Sequence, residues 1–407
     1  MSGSAGDGEG PLVYLIAGEP SGDLLGARLM AALKRRSGGR IRFAGVGGDG
    51  MAREGLDSLI PMAELSIMGF AEIAPRLLTL IRHGYRVVDA IRAQRPDAVV
   101  TIDFSGFNFR VAKRVRDLGI PLIHYVAPSV WAYFPARARK VAKFLDHIMA
   151  LLPFEPPYFE AEGLPCSWVG HPVVEEGDRR GDGAGFRARH GIPPEAPLIA
   201  VLPGSRRMEV SRLLPYFREA LTRLVARFPD LHAVAPTVST VAERVRADSR
   251  TWPVPTTVVT EDAGEKYDAF AACDAALAAS GTVSVELAAC GVPHVVAYKA
   301  SPLTSIFIPY FALVEHASLV NLVMERCVVP EFLNRKCRAD GLADAVGRLL
   351  AGPEAAAAQR DDLRRALARL GLGGEAPSAR AADVVLALIA EHRIAAEGKT
   401  ERETSHG

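Results

Sequence analysis

The sequence predicts an α/β protein made of two doubly wound domains of similar plan. Short apolar runs, each ending in a turn that carries glycine or a carboxylate, alternate with helical patterns, as parallel strands with crossover helices do. The series begins twice, at Leu12 and again at Leu198, and a Gly-, Pro- and charge-rich stretch lies between Pro172 and Pro197. A length of 407 residues suits two such domains. Because open parallel sheets bind ligands at their C-terminal strand ends, two Rossmann-like domains with binding turns facing a cleft are expected.

The first strand is read at Leu12 to Ala17, and Gly18-Glu19-Pro20-Ser21-Gly22-Asp23 turns the chain into a helix from Leu24 to Arg35. Arg42 to Val46 follows and ends in Gly47-Gly48; Ala98 to Ile102 ends in Asp103. Pro121 to Tyr125 and Ile148 to Leu152 continue the pattern. In the second half, Leu198 to Leu202 leads into the turn Pro203-Gly204-Ser205-Arg206. Leu231 to Ala235, Thr256 to Val259, Ala275 to Ala279 and His294 to Tyr298 are the further strands. The expected division is a disordered tail over residues 1–11, an N-terminal α/β domain over 12–175 and a linker over 176–196 with room for a short helix at Phe186 to His190. A second α/β domain over 197–377, a helix over 378–396 packed on a domain face and a charged tail over 397–407 complete it.

Composition narrows the class. Hydrophobic residues at 49% and charged residues at 23% describe a globular protein with a large core. A formal net charge of +1 offers no global excess of basic residues to displace phosphate counterions, which argues against nucleic acid as the main partner. Cys166, Cys273, Cys290, Cys327 and Cys337 contain no CxxC pair, so a reducing cytoplasm and no metal site are expected. Residues 1–10 lack the basic and apolar regions of a signal peptide. The longest uncharged run, Ala300 to Val314, is broken by Pro302 and Pro309 and falls short of the ~20 apolar residues of a membrane span. It suits a membrane surface or, more commonly, a core segment.

The chemistry is organised around Asp274 to Tyr298, which reads as strand, tight turn, helix, strand. Ser280-Gly281-Thr282 supplies the turn and an N-cap, and Gly291 with Pro293 stops the helix that runs from about Val283 to Cys290. Unpaired N–H groups at such a helix start, with the positive end of the dipole behind them, make a seat for phosphate. Glu286, one turn inside, can accept hydrogen bonds from two ribose hydroxyls, so the pair points to a nucleotide. A solvated Glu286 beside an ordinary packing turn reads equally well from these residues alone. No G-x-G-x-x-G with a following acidic residue, no Walker pattern and no Asp-x-Asp occur. Dehydrogenase and metal-dependent nucleotide-sugar sites are therefore disfavoured, and two facing α/β domains suggest the B-type glycosyltransferase architecture.

Eight ordered segments carry a specific resemblance. AGEPSGDLLGA (Ala17 to Ala27), Ile67-Met68-Gly69-Phe70, HYVAPSVWAY (His124 to Tyr133), LLPFE (Leu151 to Glu155), VGHP (Val169 to Pro172), LPGSRRMEV (Leu202 to Val210), ASGTVSVELA (Ala279 to Ala288) and SLVNLV (Ser318 to Val323) resemble the motif series of bacterial lipid-A-disaccharide synthases. The resemblance spans about residues 12 to 350. It implies inverting transfer of 2,3-diacylglucosamine from UDP-2,3-diacylglucosamine to 2,3-diacylglucosamine 1-phosphate, giving a β-1,6 tetraacyl disaccharide 1-phosphate and UDP in lipid A synthesis. It also implies an enzyme without a cofactor, peripheral to the cytoplasmic face of a Gram-negative inner membrane, with a homo-oligomer left open. Two positions depart from the family pattern. Gly106 replaces the second carboxylate of IDxPDF, leaving Asp103, and Val320 replaces the proline of SLPNL while Asn321 stays.

Such a transfer needs a base for the attacking hydroxyl and positive charge for the departing diphosphate. Asp103 is the leading base and Glu19 the runner-up, although either carboxylate also suits helix capping, as does Asp23. His124 and His171 are further titratable groups in contexts typical of core histidines. Gly204, Ser205, Arg206, Ser280, Gly281, Thr282, Glu286 and Asn321 make the UDP-binding set, with Arg206 as the cation. Arg137 and Arg139, with Lys140 and Lys143, follow Trp131, Tyr133 and Phe134 and suit an acceptor phosphate or anionic headgroups, or simply a solvated basic face. Met68 and Phe70 open an apolar stretch to Tyr85 that suits acyl chains or core packing. The competing readings are a UDP-sugar 2-epimerase, a muramyl-type N-acetylglucosaminyltransferase, and a nucleotide-sugar-binding module without catalysis; the retained Glu19, Asp103, Arg206, Glu286 and Asn321 disfavour the last.

Overall fold

The computed structural model describes residues 10–65, 70–132, 135–176, 181–260, 264–300 and 315–404. The chain forms two compact units, Met1–Pro172 with Gly374–Gly407, and Val173–Gly373. The first holds a parallel six-stranded sheet of β1 (Leu12–Ala17), β2 (Arg42–Val46), β3 (Ala98–Ile102), β4 (Leu122–Tyr125), β5 (His147–Ala150) and β6 (Cys166–Trp168), in the order β2-β1-β3-β4-β5-β6. The second holds β7 (Leu198–Leu202), β8 (His232–Thr237), β9 (Thr256–Thr260), β10 (Ala275–Ala279), β11 (His294–Tyr298) and β12 (Glu331–Leu333), also parallel, in the order β12-β11-β10-β7-β8-β9.

Strands buried on both faces need continuous apolar sequence, and that is what β3, β7 and β10 have, each buried at every position. Alternation within β1 assigns the two faces. Val13, Leu15 and Ala17 pack with Leu25, Leu29 and Leu33 of the helix Pro20–Arg36, and Tyr14 and Ile16 pack with Val87, Ile91, Phe107 and Val111 on the other side. In the second unit Ile199 and Val201 meet the helix Arg207–Val225 through Leu213, Phe217 and Leu221. Leu198, Ala200 and Leu202 pack instead with Phe186, Phe270 and Leu287.

The strand orders create one switch point per sheet. The chain leaves β1 in one direction to β2 and returns on the other side to β3, so the loops after β1 and β3 open a crevice at their C-terminal ends. In the second sheet the reversal falls between β7 and β10, with Ala278 opposite Leu202. Each pair of loops contains residues read as functional.

The structure adds detail in three places. β6 and β12 are edge strands of three residues, too short for a periodic signal. The stretch read as linker contributes the helix Gly183–Arg189, whose Phe186 is fully buried in the second core. Arg187 in that helix binds the carbonyls of Ala272 and Ala196 at 2.7 and 2.8 Å. The last helix, Pro377–Thr404, joins the first unit through Ala381, Ala382, Val385 and Ile389 and therefore follows the second domain in sequence while packing on the first.

Candidate active site

In the first unit the crevice is bounded by the turn after β1 and the turn after β3. Asp103 and Phe104 both have positive φ, 47° and 42°, an unfavourable conformation for two successive non-glycine residues. Three contacts hold it. The Asp103 amide donates to the Tyr125 carbonyl at 2.9 Å, and the buried Asn108 side chain donates to the carbonyls of Asp103 and Ile102 at 2.8 and 3.1 Å. The Phe104 ring lies against the Cα of Gly18, where no Cβ fits, which ties the two turns together. Asn108 had no distinguishing signal in the sequence; its role depends on lying one helical turn beyond the strained pair.

Burial raises the Asp103 carboxyl above the ordinary carboxylate value, opposed by the Phe104 amide. The helix that follows, Ser105–Val115, has Phe104 at its N-cap and no side-chain cap, so Asp103 is not the capping residue. Capping instead falls to Asp23, which accepts the amides of Gly48, Gly50 and Met51 at 2.8, 2.8 and 3.0 Å and so closes the start of the helix Asp49–Arg53. Glu19 is exposed at the N-cap of Pro20–Arg36 without a side-chain cap bond. A side chain at Gly106 would meet nothing within 4 Å, so the carboxylate missing there leaves open space.

His124 is fully buried, contacts Thr101 Oγ1 through Nδ1 at 2.8 Å and is driven down to about 3 by desolvation, then by the charge of Arg137. It is neutral at physiological pH and no base for the transfer. His171 is also buried. Arg137 lies 5.8 Å over the Phe109 ring, whereas Arg139 commits its fork to Glu162 at 2.9 and 3.3 Å. Of the two, Arg139 is thus held in an ion pair while Arg137 is exposed. Met68 lies outside the described residues, as do Tyr133, Phe134 and residues 301–314; Phe70 is the first residue of the helix Phe70–Gln94. Farther along that helix Leu78, Ile81 and Tyr85 are exposed, and Ile81 and Tyr85 line a small apolar pocket with Phe107, edged by Arg110 and Arg114.

In the second unit the turn after β7 is closed by a carboxylate from its own helix. Gly204 has φ 114°, and its missing Cβ makes room for the Glu209 carboxylate, which accepts the amides of Ser205 and Arg206. Those amides are therefore taken by a carboxylate from the first turn of their own helix, in the manner of a capping box. The Ser205 and Arg206 amides thus have a partner within their own helix start, and the Arg206 side chain is exposed. Burial raises the Glu209 carboxyl, and Arg206 opposes that rise.

The turn after β10 and the helix after it hold more of the residues read as UDP-binding. Thr282 occupies the N-cap of Val283–Ala289 without a side-chain cap bond, because its backbone is already helical. Ser280 donates to the Ala317 carbonyl at 3.1 Å, and Gly281 has open space around it. Glu286 is half-buried and ion-paired with Lys266 at 2.6 Å, a partner that sequence spacing does not reveal. Asn321 is fully buried and turned inward: its amide group donates to Val329 O and Glu331 Oε1, and its oxygen accepts the amides of Val328 and Val329, all at 2.8–2.9 Å. With its hydrogen-bonding capacity used within the fold, Asn321 braces this loop.

The first unit thus carries a desolvated carboxylate at its switch point, and the second an exposed arginine and an ion-paired glutamate at its own. Two doubly wound units of this kind define the B-type glycosyltransferase fold. Solved structures agree on the fold: a putative UDP-N-acetylglucosamine 2-epimerase from Listeria monocytogenes has TM-score 0.63 at 16% identity, covering 94% of this chain and 96% of that one. The calicheamicin glycosyltransferase has TM-score 0.57 at 18% identity, covering 94% and 99%. The family model described as lipid-A-disaccharide synthetase matches residues 13–382. The lipid-A-disaccharide synthase of Rhodospirillum centenum is 54% identical over 386 residues, covering 94% of this chain and 96% of that protein. That of Ruegeria pomeroyi is 47% identical over 383 residues, covering 92% and 94%. The chain belongs to the lipid-A-disaccharide synthase family, glycosyltransferases that use a UDP-sugar and a lipid acceptor.

Proposed function

We propose that this enzyme transfers 2,3-diacylglucosamine from UDP-2,3-diacylglucosamine to the 6-hydroxyl of 2,3-diacylglucosamine 1-phosphate with inversion, and that Asp103 is the base. The observation that carries this is the Asp103 carboxyl, held at a switch point in a strained turn where burial raises its proton affinity. A carboxylate so placed takes the hydroxyl proton as the oxygen attacks the anomeric carbon. UDP departs as the bond to that carbon breaks, and the Arg206 guanidinium stabilises the charge on its diphosphate. Glu286 accepts the ribose hydroxyls while its ion pair with Lys266 orients it.

On the acceptor side Arg137 receives the 1-phosphate, and the exposed Leu78, Ile81 and Tyr85 offer apolar surface to acyl chains. Among the described residues no helix is long and apolar enough to cross a membrane. Exposed apolar side chains beside Arg110 and Arg114 support peripheral attachment to an anionic surface. The test is incubation of the purified protein with both lipid substrates in detergent, followed by mass analysis. Tetraacyl disaccharide 1-phosphate is expected; product from UDP-N-acetylglucosamine in preference to the diacylated donor would overturn the substrate assignment.

A further inference from the structure

In the first unit a buried carboxylate joins two strand-end loops. Glu155 is 3% exposed. Its Oε1 accepts the indole N–H of Trp131 at 3.0 Å, and its Oε2 accepts the amides of Leu151 and Leu152 at 3.1 and 2.9 Å. Trp131 is buried and stands edge-on to Phe154, with ring centroids 5.2 Å apart. The carboxylate thus links the segment leaving β4 to the turn leaving β5.

The linked segment starts beside Asp103. β3 and β4 pair with Ile102 opposite Tyr125, and the Tyr125 carbonyl accepts the Asp103 amide. The next residue, Val126, has φ 78°, a true outlier for a β-branched side chain and one that persists only under constraint. Its amide donates to Met149 O at 3.0 Å. Residues 126–131 therefore run from the hydrogen-bond partner of Asp103 to the indole–carboxylate bond, with an anchor at each end. Burial pushes the Glu155 carboxyl up to about 7 even with three donors in place. An apolar residue there would leave the Trp131 indole and the Leu151 and Leu152 amides unpaired, so the carboxylate is what holds the two loops together.

We infer that Glu155 is a positioning residue for the sugar transfer, acting through Trp131 to hold the 126–131 segment in the conformation that borders Asp103. The inference rests on the reading of Asp103 as base. A carboxylate suits the task because three donors converge on it and it only accepts; a glutamine would turn an NH2 group toward a donor.

The test compares Glu155→Gln, Trp131→Phe and the double variant of the full-length enzyme, assayed with both lipid substrates in detergent. Each single variant is expected to keep UDP affinity and lose at least tenfold in kcat, and the double variant to be no slower than the slower single, since one bond is broken in all three. The part of the tryptophan emission that disappears in Trp131→Phe is expected to shift in Glu155→Gln. A wild-type kcat, additive losses, or a fall in UDP affinity parallel to kcat overturns the inference. If Glu155→Gln does not fold, Trp131→Phe carries the test alone with the same expected loss. Asp103→Asn serves as the control: a wild-type rate in that variant removes the reading of the base, while the cycle between Glu155 and Trp131 still decides the positioning role.

Discussion

Replacing Asp103 with asparagine separates chemistry from folding because the structure sends the two in opposite directions. Asparagine has the same shape, still accepts the Phe104 amide and tolerates φ near 47° better than most residues. It does not accept the hydroxyl proton. Loss of a general base lowers turnover about 10²- to 10⁴-fold, or roughly 3–5.5 kcal/mol of barrier at ~1.4 kcal/mol per decade. Stability moves the other way. The folded-state carboxyl is raised above 3.8 by burial, so the native protein holds that proton more tightly than the unfolded chain does. The group's contribution is then most favourable below its unfolded value and is lost as pH rises through the folded one. At neutral pH the buried anion destabilises, and the variant is expected to melt above the wild type, with the gap closing as pH falls toward 3.8. The wild-type kcat/KM is expected to lose activity on the acid side at a pH above that ordinary value. Mass-resolved turnover, calorimetry with UDP and thermal melts across pH read all three quantities. A wild-type rate would exclude Asp103 as base and promote Glu19; a lower melting temperature would make Asp103 a structural residue.

Further expectations concern the second unit and the membrane. Glu286→Ala is expected to weaken UDP binding by roughly 1.5–3 kcal/mol through loss of charged hydrogen bonds, and Arg206→Ala to weaken it by tenfold or more; unchanged calorimetric affinity in both would move the nucleotide elsewhere. Glu209→Gln removes the negative charge packed on the Gly204 turn, so UDP is expected to bind more tightly at neutral pH, whereas equal or weaker binding would mean that the diphosphate does not approach this turn. Asn321→Ala leaves the Val328 and Val329 amides and the Val329 carbonyl without their partner and is expected to cost about 3 kcal/mol or more in stability. A normal melt with UDP affinity abolished would make Asn321 a ligand contact. The protein is expected to co-sediment with anionic vesicles and to be released by high salt, and release by detergent alone would contradict the electrostatic part of that attachment.

Local pattern was enough for the framework of this protein. A strand buried on both faces must be continuously apolar and must end where the chain turns, so β1, β3, β7 and β10 could be placed from sequence, and with them Asp103 and the turns at Gly204 and Ser280. The motif series carried the family for the same reason: residues at strand ends are neighbours in sequence even when they serve one reaction. What sequence did not contain was the partner of each polar group. Glu209 and Asn321 look like any helix-start glutamate and loop-end asparagine until the fold shows one filling the Gly204 turn and the other enclosed between Val328, Val329 and Glu331. Lys266 and Glu286 are twenty positions apart, and Glu155 meets Trp131 across twenty-four, so only tertiary structure brings them together. The same holds for the helix Pro377–Thr404, whose apolar face is legible but whose choice of the first unit is not. Short-range order follows from steric and solvation preferences of neighbouring residues; a hydrogen-bond partner is settled by which strands the whole chain sets side by side.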